Sequence, residues 1–400
     1  MDADVPQRAG VGGLSDRFFR PGLTGIRALA ATWVMLFHIN GFYGPEILDL
    51  TVGGVRVDFT PLIVAGWVGV NLFFVLSGFL LTTHLLEEYD PANAGPVLRR
   101  YAKARFLRVF PAYWAQILVL LAVAWIANRA APDWVRFLPL HVFMAHNLTV
   151  ESSFAINAVY WTLPIELSFY ICLPLLFRRV IARGMEPRVL LPRMLVLMAI
   201  VAVVTLAYRI AAFQAYKDGP VNTIVWAINQ IPGTLDQFTF GMLAAVLFRC
   251  ACVDPGWRER LAQGWIPTLL FLAGMSGTIA MMYWVAYTPD YWSGSRLVYV
   301  WYAITCMFLA MVVFSIATSS GLTRALFENR GVVFLGTVSY SIYLWHYPIA
   351  RWVSDSMDKA TAGRMGYTLA VFAATVAASS LSYYAVERPF MRWGAKRRAS

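Results

Sequence analysis

Apolar positions in this chain gather into long, nearly unbroken blocks instead of recurring every second residue or every third and fourth. A hydrocarbon core about 30 Å thick needs ~20 apolar helical residues to cross it. A window of that length finds ten blocks, near residues 22–43, 61–84, 111–128, 158–177, 189–212, 223–248, 264–287, 297–319, 331–352 and 366–386. In lipid each backbone N–H and C=O must be paired within the protein, which makes helices the reading for blocks of this length. The pattern predicts an all-α fold, a polytopic transmembrane helical bundle of about ten spans. The stretch 134–150, broken by Pro139 and His141, predicts a short re-entrant or interfacial helix. No repeat or low-complexity tract divides the chain, so 1–400 reads as one domain: a tail over 1–21, a ten-helix core over 22–386 and a basic tail over 387–400. No small-residue cleavage site accompanies the first block, which is expected to stay as a helix.

Composition agrees and removes the other classes. Hydrophobic residues make up 59 % of the 400 and charged residues 14 %, against about 25 % charge in soluble domains. A disordered chain, a coiled coil and a secreted disulfide scaffold are excluded. Cys172, Cys250, Cys252 and Cys306 lie in or at the ends of apolar runs without paired spacing, and read as packing residues.

Cytoplasmic loops of membrane proteins are enriched in Lys and Arg. With both termini cytoplasmic, the inner segments carry 24 of the 33 basic residues against 11 acids, and the outer segments 9 against 9. Glu166 and Asp236, inside spans, bring the balance to the net charge of +11. The positive charge is therefore topological and gives no support to nucleic-acid binding. A multi-pass protein of the cell (plasma or inner) membrane is expected.

Ionisable side chains inside spans are costly and usually functional. Arg27 and His38 in span 1, Glu166 in span 4, Asp236 in span 6 and His346 in span 9 form that set. Arg27 and His38 are separated by almost three helical turns, on one face and about 16 Å apart along the axis. Topology brings His38, Glu166 and His346 into the outer half of the bilayer. Histidine suits general-base work near neutrality, and Glu166 is placed to orient His38; hydrogen-bonded core histidines are the alternative. His346 is open between substrate contact and structure. Asp236, after Pro232-Gly233-Thr234, stands where a broken helix would expose backbone to a cavity, as a structural acid or a functional one.

At the cytoplasmic mouth, Arg99, Arg100, Lys103, Arg105 and Arg108 precede Pro111, Tyr113 and Trp114. Arg105 and Arg108 share one face and suit a phosphorylated cosubstrate, because guanidinium groups bind phosphate with paired hydrogen bonds. Arg99, Arg100 and Lys103 read as an anchor on anionic lipid headgroups. Ser77 and Gly78, small residues in span 2, serve close helix packing or line a channel for a long cosubstrate arm.

Several segments together resemble the membrane acyltransferase 3 family, integral-membrane O-acyltransferases that modify sugars and glycosylated compounds. They are Gly25-Ile26-Arg27-Ala28-Leu29-Ala30 running to His38, the Phe73–Phe79 run, Arg105-x-x-Arg108-x-x-Pro111-x-Tyr113, and Trp161-Thr162-Leu163-Pro164-Ile165-Glu166 through Phe169-Tyr170. Leu335-Gly336-x-x-Ser339-Tyr340-Ser341-Ile342-Tyr343-Leu344-Trp345-His346 and Glu387-Arg388-Pro389 complete the set. Asn71 stands where many members have Asp, and Thr162 where many have Ser. The resemblance implies transfer of a short acyl group, most simply acetyl, from acyl-CoA to a hydroxyl of a carbohydrate, a lipid-linked sugar or a glycosylated small molecule. In that reading Arg105 and Arg108 hold the CoA phosphates and the pantetheine arm passes Ser77 and Gly78. His38 removes the acceptor's proton, Glu166 orients it, and Arg27 steadies donor or intermediate. His346, Trp161, Tyr113 and Asp236 are expected at the acceptor. Acyl-CoA is a cosubstrate, and neither a resident cofactor nor a metal is expected. The chain stops soon after its last span, so no C-terminal hydrolase-like domain is expected, and a soluble second step would fall to another protein. A transporter or flippase for a lipid-linked or glycosylated substrate is the rival, since intramembrane His, Glu and Asp also suit proton coupling.

Overall fold

The computed structural model describes residues 21–44, 48–89, 94–128, 132–180, 186–288, 290–292 and 295–396. The expected tail over 1–21 lies, except for Pro21, outside the described residues, as do residues 397–400 of the basic tail. Ten long helices stand in the ten apolar blocks: α1 (Pro21–Tyr43), α2 (Val68–Glu88), α3 (Ala94–Asn128), α4 (Thr162–Val180), α5 (Pro187–Tyr216), α6 (Ile231–Val253), α7 (Trp265–Ala286), α8 (Trp301–Thr318), α9 (Ser339–Ser356) and α10 (Lys359–Ser382). Eight are long and apolar enough to cross a membrane. The exceptions are α4, apolar over Thr162–Phe177, and α9, which carries Ser339, Tyr340, Ser341, Tyr343 and His346 yet buries them inside the protein. The chain is thus an all-α polytopic bundle.

Proline and glycine set where the blocks break. The block expected over 223–248 divides into Val221–Ile228 and α6, because Pro232 has no N–H to donate and is tolerated only in a helix's first turn. The block over 331–352 divides at Val338 into Arg330–Thr337 and α9. The first of these pieces packs on α1, where a Cβ on Gly336 would stand 1.9 Å from Thr24 O. Span 2 opens at Val68, seven residues later than expected, because Thr60–Val64 forms its own short helix before Gly66.

Helices α2 and α6 form the centre. A Cβ on Gly78 would meet Phe238 O at 2.1 Å, and one on Gly241 would meet Val75 O at 2.0 Å, so the two backbones touch where both residues lack side chains. Against this pair pack α1, α5 and α8; α9 joins α1, and α10 joins α9. One strand pair, Asp49–Val52 with Val55–Asp58, lies between α1 and α2 and turns on Gly53 and Gly54 at positive φ. Tyr283 and Tyr287 donate from α7 to Asp58 at its end. The re-entrant stretch is a chain of short helices, Asp133–Phe137, Leu138–Val142, His146–Leu148 and Val150–Phe154, folded between α3 and α4.

Candidate active site

Two histidines from helices far apart in sequence meet inside the bundle. His346 Nε2 lies 3.1 Å from His38 Nδ1. His38 Nδ1 is 2.9 Å from Val34 O and His346 Nδ1 is 2.9 Å from Ile342 O. A carbonyl only accepts, so both Nδ1 atoms carry hydrogen. His346 Nε2 is then the acceptor of a bond that His38 Nδ1–H shares with Val34 O, and the lone pair of His38 Nε2 is left open. That is the arrangement of a base whose protonated form is held by the ring behind it.

Glu166 does not perform the orienting role expected of it. Its Oε1 accepts from Ser77 Oγ at 2.7 Å and from the Tyr170 hydroxyl, and it lines a cavity with Arg27, Arg105 and Arg108, while His38 lines the next one. The depth argument fails because residues 138–161 enter the bundle before α4 begins. Trp161 already lines the His38 cavity and Thr162 Oγ1 is 2.8 Å from the Tyr343 hydroxyl, so Glu166 sits one turn deeper. Arg27 donates to Ser339 Oγ at 3.1 Å and lies over the Phe73 ring. Arg108 is 3.1 Å from the buried carboxylate of Glu387, which Ser341 also engages. Arg105 Nε is buried with no partner.

Three cavities join these groups. An inner one of about 460 Å³ lies between α3 and α4 and includes Tyr101, Arg105, Glu166 and Tyr170. A middle one of about 80 Å³ shares Arg105, Glu166 and Tyr170 with it and adds Arg27, Ser77 and Arg108. An outer one of about 140 Å³ shares Val70, Phe74 and Tyr343 with the middle one and contains His38 and Trp161. Neighbouring cavities with guanidinium groups toward one end and an imidazole at the other suit a long donor whose anionic head and reactive group are far apart.

Comparison with known proteins agrees. A family model described as acyltransferase domain matches residues 20–384. The chain belongs to that acyltransferase family. It is 24 % identical to the O-acetyltransferase OatA of Staphylococcus aureus and 23 % identical to the peptidoglycan O-acetyltransferase OatA of Listeria monocytogenes. It is 26 % identical to the putative peptidoglycan O-acetyltransferase YrhL of Bacillus subtilis. Each match covers 94 % of this chain but only 58 %, 57 % and 55 % of the respective relative, so the chain spans under three fifths of their length. No solved structure matches.

Three residues expected at substrate are turned to other partners. Gly78 faces the α6 backbone and lines none of the three cavities; its missing Cβ serves helix packing. Tyr113 is fully buried, its hydroxyl 3.1 Å from His141 Nδ1 and 3.4 Å from His146 Nδ1. Asp236 is buried in a two-pronged pair with Arg209, both contacts at 2.8 Å. Sequence reasoning missed Arg209 because it lies near the end of its block, where a long basic side chain can reach the surface. It also missed Gln237, whose Oε1 accepts from Asn71 Nδ2 at 2.7 Å in the wall of the outer cavity, and His346 as the partner of His38. Glu387 had a signal, the closing Glu-Arg-Pro, but nothing in sequence ties it to Arg108.

Proposed function

We propose that this chain transfers a short acyl group, most simply acetyl, from acyl-CoA to a hydroxyl of a carbohydrate or glycosylated acceptor in the plasma or inner membrane, with both termini cytoplasmic. The observation that carries the reading is the string of cavities from Arg105 to His38. The unpaired Arg105 Nε, with Arg108 beside it, suits the donor's phosphates, and Ser77 borders the path of the pantetheine arm. His38 Nε2 takes the acceptor's proton as its oxygen attacks the thioester carbonyl; the C–O bond forms, the C–S bond breaks, and the departing thiolate recovers the proton from His38. His346 holds the imidazolium in between. Arg27, about 16 Å from His38 along α1, acts on the donor and not at the reacting carbon. The relatives' names, O-acetyltransferase and peptidoglycan O-acetyltransferase, support the same chemistry and a carbohydrate polymer as one class of acceptor.

The test is transfer of radiolabel from acetyl-CoA to glycosides by the purified full chain. His38→Ala is expected to lower the rate by about 10²–10⁴, the usual contribution of a general base; a folded His38→Ala protein with unchanged transfer refutes the assignment.

A further inference from the structure

The outer cavity contains three buried polar atoms that nothing in the described protein pairs with: Asn71 Oδ1, Gln237 Nε2 and Trp67 Nε1. Asn71 is 3 % exposed and Gln237 0 %. Buried polar groups are nearly always paired, and one left open is a standing cost until a ligand answers it. The single bond between the amides leaves one NH2 group and one C=O without a partner, and turning both amides over exchanges which residue offers which without changing that remainder. A hydroxyl carries both complements, a donor for the amide oxygen and an acceptor for the amide N–H.

Aromatic rings make up much of the rest of the wall, with valines, Asn229 and His38 filling the remainder. Trp67, Trp161, Trp292, Phe37, Tyr302 and Tyr343 surround the amides, with Trp67 6.1 Å from Trp292 and 5.6 Å from Phe37, ring centre to ring centre. Flat apolar faces beside a few fixed polar atoms suit a ring with C–H faces and hydroxyl edges. Among the described residues, no Lys, Arg, Asp or Glu lines the cavity. The guanidinium behind Tyr302, that of Arg209, is spent on Asp236. A ligand carboxylate would therefore be buried there without a counter-charge.

We propose that this cavity seats an uncharged sugar ring, with the Asn71–Gln237 amide pair reading one of its hydroxyls and Trp67 Nε1 donating to a second oxygen. Naming that ring the acyl acceptor rests on the reading of His38 as base; the seat does not. Asn71 and Gln237 are then specificity-determining residues. A ring deoxygenated at the position they read loses two bonds at once and leaves both amide atoms open.

The test is a tryptophan-fluorescence titration of the full chain in lipid nanodiscs. The probes are methyl glycosides of neutral hexoses and N-acetylhexosamines and the matching methyl uronides. At least one neutral glycoside is expected to give a saturable change, with its uronide about tenfold or more weaker. Asn71→Asp, which puts a charge in the cage and removes the donor that holds Gln237 Oε1, and Gln237→Leu are each expected to weaken the neutral ligand about tenfold or more. Equal or tighter uronide binding, no response from any neutral glycoside, or neutral binding untouched by both substitutions overturns the proposal. If a substituted chain fails to fold, the glycoside–uronide comparison on the unaltered chain decides alone. Radiolabel transfer from acetyl-CoA in the same samples separates the two readings. Binding without transfer removes the acyl-transfer reading and leaves the seat, whereas transfer with no neutral preference removes the seat and leaves acyl transfer.

Discussion

Replacing His346 by Phe keeps a ring of similar size beside Tyr343, 5.8 Å away between centres, and removes the nitrogen that accepts from His38. The cost falls where His38 carries its second proton. In the ground state the His38–His346 contact joins two neutral rings, but when His38 Nε2 has taken the acceptor's proton the same 3.1 Å contact is charge-assisted, a bond worth about 1.5–3 kcal/mol. Val34 O, 2.9 Å from His38 Nδ1, still holds that hydrogen in the variant, so the loss belongs at the low end, about 1.5 kcal/mol. That corresponds to about tenfold in rate. The assay is initial-rate acetyl transfer as acetyl-CoA and acceptor are varied independently, across the pH range in which the protein stays folded. Expected is a kcat about tenfold lower with the KM for acetyl-CoA little changed, because the proposed phosphate site at Arg105 and Arg108 lies outside the cavity that His38 lines. Glu166→Gln, by contrast, alters a carboxylate bonded to Ser77 and Tyr170 and is expected to act on the donor KM. Full kcat in the His346→Phe enzyme, or a change confined to the KM for acetyl-CoA, refutes the dyad.

Arg105→Ala is expected to raise the KM for acetyl-CoA about tenfold with little loss of thermal stability, since Arg105 Nε is unpaired. Arg108→Ala is expected to raise the KM and also to destabilise by about 3–5 kcal/mol, because it strands the buried Glu387 carboxylate; thermal unfolding in detergent separates the two. Asp236→Asn is expected to cost about 3–5 kcal/mol by leaving Arg209 charged and buried, whereas replacing both by leucine is expected to cost far less; a single variant as stable as the parent refutes the pairing. Burial lowers His141 to about 3, with the charge of His146 adding to the effect, and lowers His146 to about 4. Both are therefore held neutral when folded, and their contribution to stability is complete above about pH 6.5 and is lost as pH falls from there toward 3–4. Melting temperatures are expected to drop between pH 7 and pH 5, less steeply in a His141→Gln, His146→Gln chain; an equal slope refutes that source.

The helices were legible because lipid leaves so few alternatives. Ten blocks of apolar residues became ten helices, and the break expected near Pro232 is where the sixth block divides. Hydropathy does not register a boundary inside a continuous apolar run, so the division at Val338 and the late start of α2 were invisible. Both depend on where another helix comes close, as Gly336 does to Thr24. The strand pair at Asp49–Asp58 was missed for a related reason: eight residues closed by two glycines carry little signal beside spans of twenty.

The site was legible as a membership and not as a set of pairs. His38, Arg27, Glu166, Arg105, Arg108, Ser77, Trp161 and His346 all line the string of cavities or touch a group that does, but the expected bond between His38 and Glu166 assumed that α4 starts at the membrane surface. That assumption counts residues from the edge of an apolar block, and it breaks when a polar re-entrant stretch lies at depth inside the protein. Residues 138–161 satisfy their own polar groups there: His141 Nε2 donates to Ser152 O and His146 Nε2 to Tyr160 O, each at 3.0 Å, and Asn157 donates to Leu344 O at 2.9 Å. With its backbone and imidazoles paired internally, that segment lowers the start of α4 into the bundle, and Glu166 slides past the histidine toward the arginines. The same logic explains Arg209. It lies three residues inside the end of its block, within reach of the surface, but α6 offers it Asp236 at hydrogen-bond distance, and a charge with a buried partner has no need to reach the surface. Depth in this protein is set by which polar groups find partners inside it, and a window of hydropathy carries no record of that.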